Sequence, residues 1–382
     1  MENEVLKNEG GVNMEEASAR AKQYSKLKTR LIFSQLLLTA AFLLVMLFSG
    51  ASVLLRDLVA GWGRNFYLQV CIYLTIFCGI YYFLFVGLDF YGGFLLEHKF
   101  LLSNQTVLDW LKQSIKKWLL SLVMLLVAGE ALYFFLRRFP NNWWLVATAA
   151  WILLAVVLGK LTPVLIIPLF YKCTPLASEG LKERLLRLGK DCGVGIKQVF
   201  EVQLSKETQK ANAAVAGFGK GRRILLGDTL LRNYSDEEIE AIFAHELGHV
   251  CLFHTWKILG FGAAISLASF YLTFLLFKAG LSFFGFDHTY DIAAFALLAL
   301  ILLLIGLLFM PIQNGFLRYL EKHADIFALG HIQNKQSFIS AITKLSNQNL
   351  SDPSPSRLVE FLFYTHPPIS KRLRYGMGGN EK

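Results

Sequence analysis

Ser235-Asp236-Glu237-Glu238-Ile239-Glu240-Ala241-Ile242-Phe243-Ala244-His245-Glu246-Leu247-Gly248-His249-Val250 reads as a helix start that runs straight into a metal motif. Ser235 is placed to cap the helix, and Glu238, three residues on, to close a capping box. Tyr234 and Ile239 occupy the staple positions, while Asp236 and Glu237 suit the positive end of the helix dipole. Ile239, Ile242, Phe243 and Val250 recur at helical spacing. His245 and His249, four apart, share one face of that helix, so both imidazoles reach a single Zn2+. Glu246 sits next to the first histidine and can take a proton from a metal-activated water without being a ligand itself. The plainer reading is two surface histidines on an ordinary helix. Against it, both lie in the apolar register, where an unpartnered pair is costly and a metal removes the cost.

The rest of the chain places this helix in a membrane protein. Of 382 residues, 54% are hydrophobic and 17% charged, too apolar for an ordinary soluble domain. Six stretches account for it: Leu31–Leu55, Phe66–Val86, Trp118–Leu136, Trp143–Tyr171, Ile258–Phe277 and Ile292–Pro311. Each is close to the roughly 20 residues that cross a bilayer as helix. The first is too long, and begins too far from the start, for a cleavable signal peptide; it reads as a signal anchor. Basic residues cluster in the N-terminal segment (Lys7, Arg20, Lys22, Lys26, Lys28, Arg30) and after the second span (Lys99, Lys112, Lys116, Lys117). The positive-inside bias then puts both termini and the insertion Tyr171–Lys257 in the cytoplasm. On this reading the net charge of +10 reflects topology and anionic lipid, and nucleic acid is not a partner. The five cysteines, Cys71, Cys78, Cys173, Cys192 and Cys251, lack CxxC spacing and are expected as free thiols. Cys251 falls on the wrong side of the zinc helix to be a ligand.

The insertion opens with an amphipathic helix over Ser178–Asp191, followed by a short strand at Val199–Val202. Asn212–Phe218 and Arg222–Leu226 read as strands across Gly219-Lys220-Gly221, a hairpin signal. Such a hairpin is either plain sheet or an edge on which a substrate backbone lies by β-augmentation. Two histidines and a water leave a catalytic zinc one protein ligand short. A metzincin continuation needs Gly at 252 and His at 255, where Leu252 and Thr255 stand, and the fifth span that follows has no carboxylate. The third ligand is therefore expected after the sixth span, in Glu321-Lys322-His323-Ala324-Asp325. Glu321 and Asp325 are four apart on one face, suiting a ligand and a carboxylate that orients a zinc histidine. His323 as ligand, or a plain solvated charge run, are the alternatives.

With these residues in view, the chain resembles the integral-membrane zinc metalloproteases of the Ste24 type, the type I CAAX prenyl proteases of peptidase family M48. The matching pieces are Leu102-Ser103-Asn104-Gln105-Thr106, Ile167-Pro168-Leu169-Phe170 with Thr174-Pro175-Leu176, Ala211-Asn212-Ala213, Gly217-Phe218-Gly219-Lys220 and Arg223 to Leu231. Downstream they are Glu321 with Ala324-Asp325, and His366-Pro367 with Arg372-Leu373. The resemblance implies His245, His249 and Glu321 as ligands of one Zn2+ and Glu246 as general base. It implies Asp325 as partner of a ligand histidine, Asn212 and Ala213 on the substrate strand, His366 as oxyanion donor and Arg372 supporting that corner. The chain departs from the family at Lys322-His323, where Phe-Gln is usual. It also departs at Glu97-His98-Lys99-Phe100-Leu101, which lacks a second acid and a glycine, and in having six spans rather than seven. A prokaryotic member is expected, in a bacterial inner membrane (the endoplasmic reticulum membrane in a eukaryote), and prenylation is a eukaryotic modification.

Within the spans, Glu130 and Lys160 read either as an ion pair between neighbouring helices or as the polar wall of an intramembrane chamber. The fold expected is a mainly α, polytopic α-helical membrane protein of about six spans, with a cytoplasmic-side α+β gluzincin-like zinc protease domain. Its parts are an N-terminal segment (1–30), four spans (31–171), the HExxH-bearing domain (172–257), a transmembrane hairpin (258–316) and a C-terminal catalytic part with the third ligand (317–382). The expected function is a membrane-embedded zinc metalloendopeptidase resembling CAAX prenyl protease 1, acting on peptide or protein substrates, lipidated ones included. The competing readings are a quality-control protease resembling HtpX and a non-proteolytic scaffold with structural zinc, for which Glu246 would be superfluous.

Overall fold

The structure, a computed structural model, describes residues 14–217 and 221–377. The first part of the N-terminal segment, including Lys7, and the Phe218-Gly219-Lys220 part of the expected hairpin lie outside the described residues. Among the described residues, six helices are long and apolar enough to cross a membrane: Ser18–Phe48, Phe66–Lys99, Val107–Arg138, Trp143–Phe170, His254–Phe284 and Ile292–His331. Four of them contain the apolar stretches read from the sequence, and a fifth, Trp143–Phe170, stops one residue short of Tyr171. The first differs, because the run Leu31–Leu55 is not one helix. Helix Met14–Phe48 stops before Gly50, whose φ of 74° lies in the left-handed region, and Ala51–Ala60 forms a separate short helix. Glycine adopts that φ without a Cβ clash, so the chain turns there, and the span lies upstream of where apolarity alone put it.

Tyr73, Phe77, Trp143, Phe277 and Leu297 are buried where these helices meet, and Phe77 packs edge-on against Phe295 at 5.1 Å, a favoured aromatic geometry. A polar clasp closes one end of the bundle. Tyr73 donates to Ser52 Oγ at 2.6 Å, Ser52 donates to the Ala293 carbonyl at 2.6 Å, and Arg56 pairs with Asp291 at 2.7 Å. The Glu130–Lys160 pair is not formed. Neither carboxylate oxygen of Glu130 has a hydrogen-bond partner, while Lys160 points outward. Outside, Leu37, Phe83, Val127, Leu153 and Phe283 are exposed, the apolar belt that lipid covers.

Between the fourth and fifth of these helices the chain builds a sheet in the order β1-β2-β4-β3, with β1 Cys173–Pro175, β2 Ile196–Val202, β3 Ala213–Ala216 and β4 Arg222–Gly227. β2 and β4 are parallel; β1 and β3 run antiparallel to their neighbours. β2 starts three residues earlier than its apolar run suggested, and β3 is shorter at both ends. The amphipathic helix Glu179–Asp191, capped by Ser178, buries Leu181, Leu185 and Leu188 against this sheet. The second helix, Asp236–Cys251, starts with Ser235 as N-cap and a complete capping box with Glu238. Glu238 also accepts from Ser340 and Lys344, at 2.6 and 2.8 Å, so the cap ties this helix to helix Lys335–Gln348.

Two features position the site. Helix Phe295–His331 has 37 residues, about 55 Å of helix, so it overshoots a hydrocarbon core of roughly 30 Å and carries its last turns onto the sheet domain. There it meets the HExxH helix at Gly248, where a Cβ would lie 3.0 Å from Ala324 Cα and 3.2 Å from its carbonyl oxygen. Any side chain at 248 would push the two helices apart. At the other side, the segment Leu102–Thr106 grips the chain ahead of β3: Asn104 N–H donates to the Glu207 carbonyl at 3.1 Å and Gln209 N–H to that of Leu102 at 2.9 Å. Glu97, between Lys28 and Lys210 at 2.6 and 2.9 Å, fastens the first two long helices to the same segment.

Candidate active site

His245 and His249 face helix Phe295–His331 across the Gly248 contact. His245 Nε2 lies 3.2 Å from His249 Nε2 and 3.2 Å from Glu321 Oε2, and His249 Nε2 lies 3.5 Å from Glu321 Oε1. Zn–N and Zn–O bonds of about 2.0–2.1 Å at a tetrahedral centre put neighbouring ligand atoms roughly 3.3–3.4 Å apart, so the two nitrogens and the Glu321 carboxylate already stand close to such spacings. Glu321 Oε2 is buried and has no hydrogen-bond partner. Two imidazole nitrogens and an orphaned carboxylate oxygen converging on one point are what a divalent cation satisfies. His323 is not part of this group: it is half-buried, and its Nδ1 turns back to the Tyr319 carbonyl at 2.7 Å. Cys251 turns away as well, its thiol donating to the Cys192 carbonyl at 3.6 Å.

The outer contacts fix each ligand's orientation. His245 Nδ1 meets Asp325 Oδ1 at 2.8 Å, and Asp325, fully buried, takes two bonds from Arg372 at 2.8 and 2.6 Å. Burial disfavours the charged His245 ring, but its bond to Asp325 and the neighbouring Glu321 carboxylate outweigh this and raise its pKa to about 9. At His249, burial together with the neighbouring His245 charge outweighs the pull of Glu321 and lowers the pKa to about 4. A cation needs both rings neutral, so its binding displaces a proton. Burial also raises the Glu246 carboxyl above its ordinary range, with the His245 charge pulling it down and that of Glu321 pushing it up.

Sequence reasoning missed the partner of the second histidine. His254 Nδ1 lies 3.0 Å from His249 Nδ1. With Nε2 of His249 turned to the metal position, its Nδ1–H donates to His254, whose own proton then sits on Nε2, a buried atom without a partner. Phe253, at φ 56°, makes the left-handed kink that returns His254 to the site. In sequence His254 looks like the polar start of a membrane helix. His254→Ala is expected to weaken zinc affinity by about 10–100-fold, as loss of an outer-shell partner does. Competition with a calibrated chelator measures it, and unchanged affinity would remove the role.

His245 opens into a cavity of about 520 Å³ whose lining includes Asn212, Ala213, Glu246, His366 and Arg372. With His249 and Glu321 beside His245 and Asp325 behind it, the nine site residues that the resemblance implied gather at one place. Asn212 is exposed in it, next to Ala213 at the start of the edge strand β3. His366 Nε2 stands 3.3 Å from Glu321 Oε2, and Thr365 Oγ1 steadies its Nδ1 at 3.0 Å.

Comparison with known proteins agrees with this geometry. Residues 175–375 match the model of peptidase family M48, and residues 7–172 match that of the CAAX prenyl protease N-terminal region with five membrane helices. The chain is 28% identical over 361 residues to the uncharacterized metalloprotease YhfN of Bacillus subtilis, covering 94% of this chain and 84% of YhfN. It is 31% identical over 313 residues to the CAAX prenyl protease 1 homolog of Arabidopsis thaliana, covering 76% and 69%. The crystal structure of S. mikatae Ste24p superposes with a TM-score of 0.84 at 25% identity, covering 96% of this chain and 90% of that one. The chain thus belongs to peptidase family M48, among its multi-pass membrane metalloproteases of the Ste24, or CAAX prenyl protease, type.

Proposed function

We propose that the protein is a zinc-dependent endopeptidase holding one Zn2+ per chain on His245, His249 and Glu321. The observation that carries this is the joint placement of three converging ligand groups, a second carboxylate, Glu246, that is not among them, and an exposed strand edge beside them. Zinc supplies a Lewis acid there, which activates water near neutral pH and polarises the scissile carbonyl. Glu246, its pKa raised by burial, takes the proton from the attacking water and passes it to the leaving amine. His366, beside Glu321 with its ring held by Thr365, donates from Nε2 to the developing oxyanion. Arg372 fixes Asp325, which fixes the His245 ring. Asn212 and Ala213 align the substrate backbone.

The catalytic unit consists of 172–257 and 317–382, linked through the helix pair in 258–316, with 31–171 as the remaining membrane domain behind segment 1–30. The basic residues favour a cytoplasmic catalytic side and cytoplasmic termini, in a bacterial inner membrane. A lipidated substrate is also accommodated on this reading. A second cavity, of about 750 Å³, runs between helices Phe66–Lys99 and Val107–Arg138 past Phe85, Trp110 and Trp118 to Lys210. Ala211, the next residue, lines the catalytic cleft.

Purified protein is expected to cleave a farnesylated CAAX peptide, to lose activity on treatment with 1,10-phenanthroline and to regain it with Zn2+. Cleavage of unfolded casein alone would shift the task to membrane-protein quality control. Failure to cleave either substrate would overturn the peptidase reading.

A further inference from the structure

The free edge of β3 is shorter than the strand. The Asn212 carbonyl accepts from Gly227 N–H at 2.9 Å, so the Asn212 backbone faces β4, and the Lys210 carbonyl accepts from Thr229 on that same side at 2.8 Å. Backbone groups alternate along an antiparallel strand, two residues to the repeat. Gln209, Ala211, Ala213 and Val215 therefore turn their N–H and C=O groups the other way, toward the cleft. At Gln209 both groups are taken: N–H by the Leu102 carbonyl at 2.9 Å, C=O by Gln348 Nε2 at 2.6 Å. At Ala211 they are taken by a single side chain. The Ala211 N–H donates to Asn349 Oδ1 at 2.9 Å, and Asn349 Nδ2 donates back to the Ala211 carbonyl at 3.2 Å. The Asn349 amide thus occupies the place of a paired strand residue. What remains for an incoming peptide is Ala213 and Val215.

We infer that Asn349 is a stop that sets substrate length: a peptide pairs at Ala213, and its flank on the Ala211 side ends there or leaves the strand. The substrates favoured are chains whose scissile bond lies a short, fixed distance from one end. Ser346, Ser351 and Asp352 wall the same end of the cleft, so the flank has no straight path beyond Asn349. This rests on the peptidase reading, and it concerns which peptides are cut rather than whether any are.

The test uses the full-length protein in lipid nanodiscs and one cleavable peptide lengthened residue by residue, in one series from its N-terminus and in another from its C-terminus. In one series only, kcat/KM is expected to fall on the order of tenfold, the worth of about one backbone hydrogen bond. The fall comes about two residues past the one paired with Ala213, since every second residue faces the edge. Asn349→Ala is expected to raise the long-to-short ratio of kcat/KM about tenfold on the same arithmetic, a ratio that a general loss of folding or zinc does not move. Asn349→Asp, which keeps the acceptor for Ala211 N–H but sets a second oxygen against its carbonyl, serves if the alanine variant does not accumulate. Equal tolerance of both series by the unaltered protein overturns the inference, and so does a ratio unmoved in the variants. Absence of cleavage of every peptide would instead fall on the peptidase reading.

Discussion

Glu246→Gln is expected to leave a folded, zinc-loaded protein whose peptide hydrolysis is slower by about 10²–10⁴-fold, the usual contribution of a positioned general base. Glutamine matches the carboxylate in shape, so the cleft retains its form. What it loses is the ability to accept and return a proton. Glu246 is outside the group of converging ligand atoms, so zinc content should stay at one ion per chain and the KM for peptide should change little. Metal analysis alongside steady-state kinetics separates the two effects. Activity persisting near the original kcat would refute the mechanism; zinc loss would instead make Glu246 a ligand.

The largest expected loss of stability is at Asp325→Ala. Asp325 is fully buried and binds both His245 and Arg372. Its removal strands the Arg372 guanidinium away from water, which costs about 3–5 kcal/mol when one partner of a buried pair is deleted. The same change frees the His245 ring and should weaken zinc affinity by about 10–100-fold. The double variant Asp325→Leu/Arg372→Met separates these effects. It should recover most of the thermal stability, because neither member of the buried pair is left without its partner, while zinc affinity stays low. If the single variant melts with the unaltered protein, the Asp325–Arg372 pair is not what holds this corner together.

Much of the site is legible in the chain because its signals are local. Ser235, Glu238 and the 3.6-residue spacing announce the HExxH helix, and the absence of a carboxylate in the fifth span sends the search for a third ligand to Glu321. His254 and Asn349 carry no such signal. One is a histidine beside a membrane helix, the other the residue closing an amphipathic helix, and each gains its role from a backbone turn or a neighbouring strand. Apolarity likewise counts spans well but does not see Gly50, where one run of apolar residues breaks into two helices. Opposite charge suggested Glu130 with Lys160, yet the direction each helix face takes is a property of packing.

The contact of Gly248 with Ala324 also sets an order of events during synthesis. When the HExxH helix has left the ribosome, both histidines and the base exist but Glu321 does not. The third ligand arrives only after two more helices have entered the bilayer and the second has run far enough to lay Ala324 on Gly248. A chain stalled or misinserted before that point holds an incomplete metal centre. On the proposed ligand set, cutting would then wait until the chain's own insertion is complete.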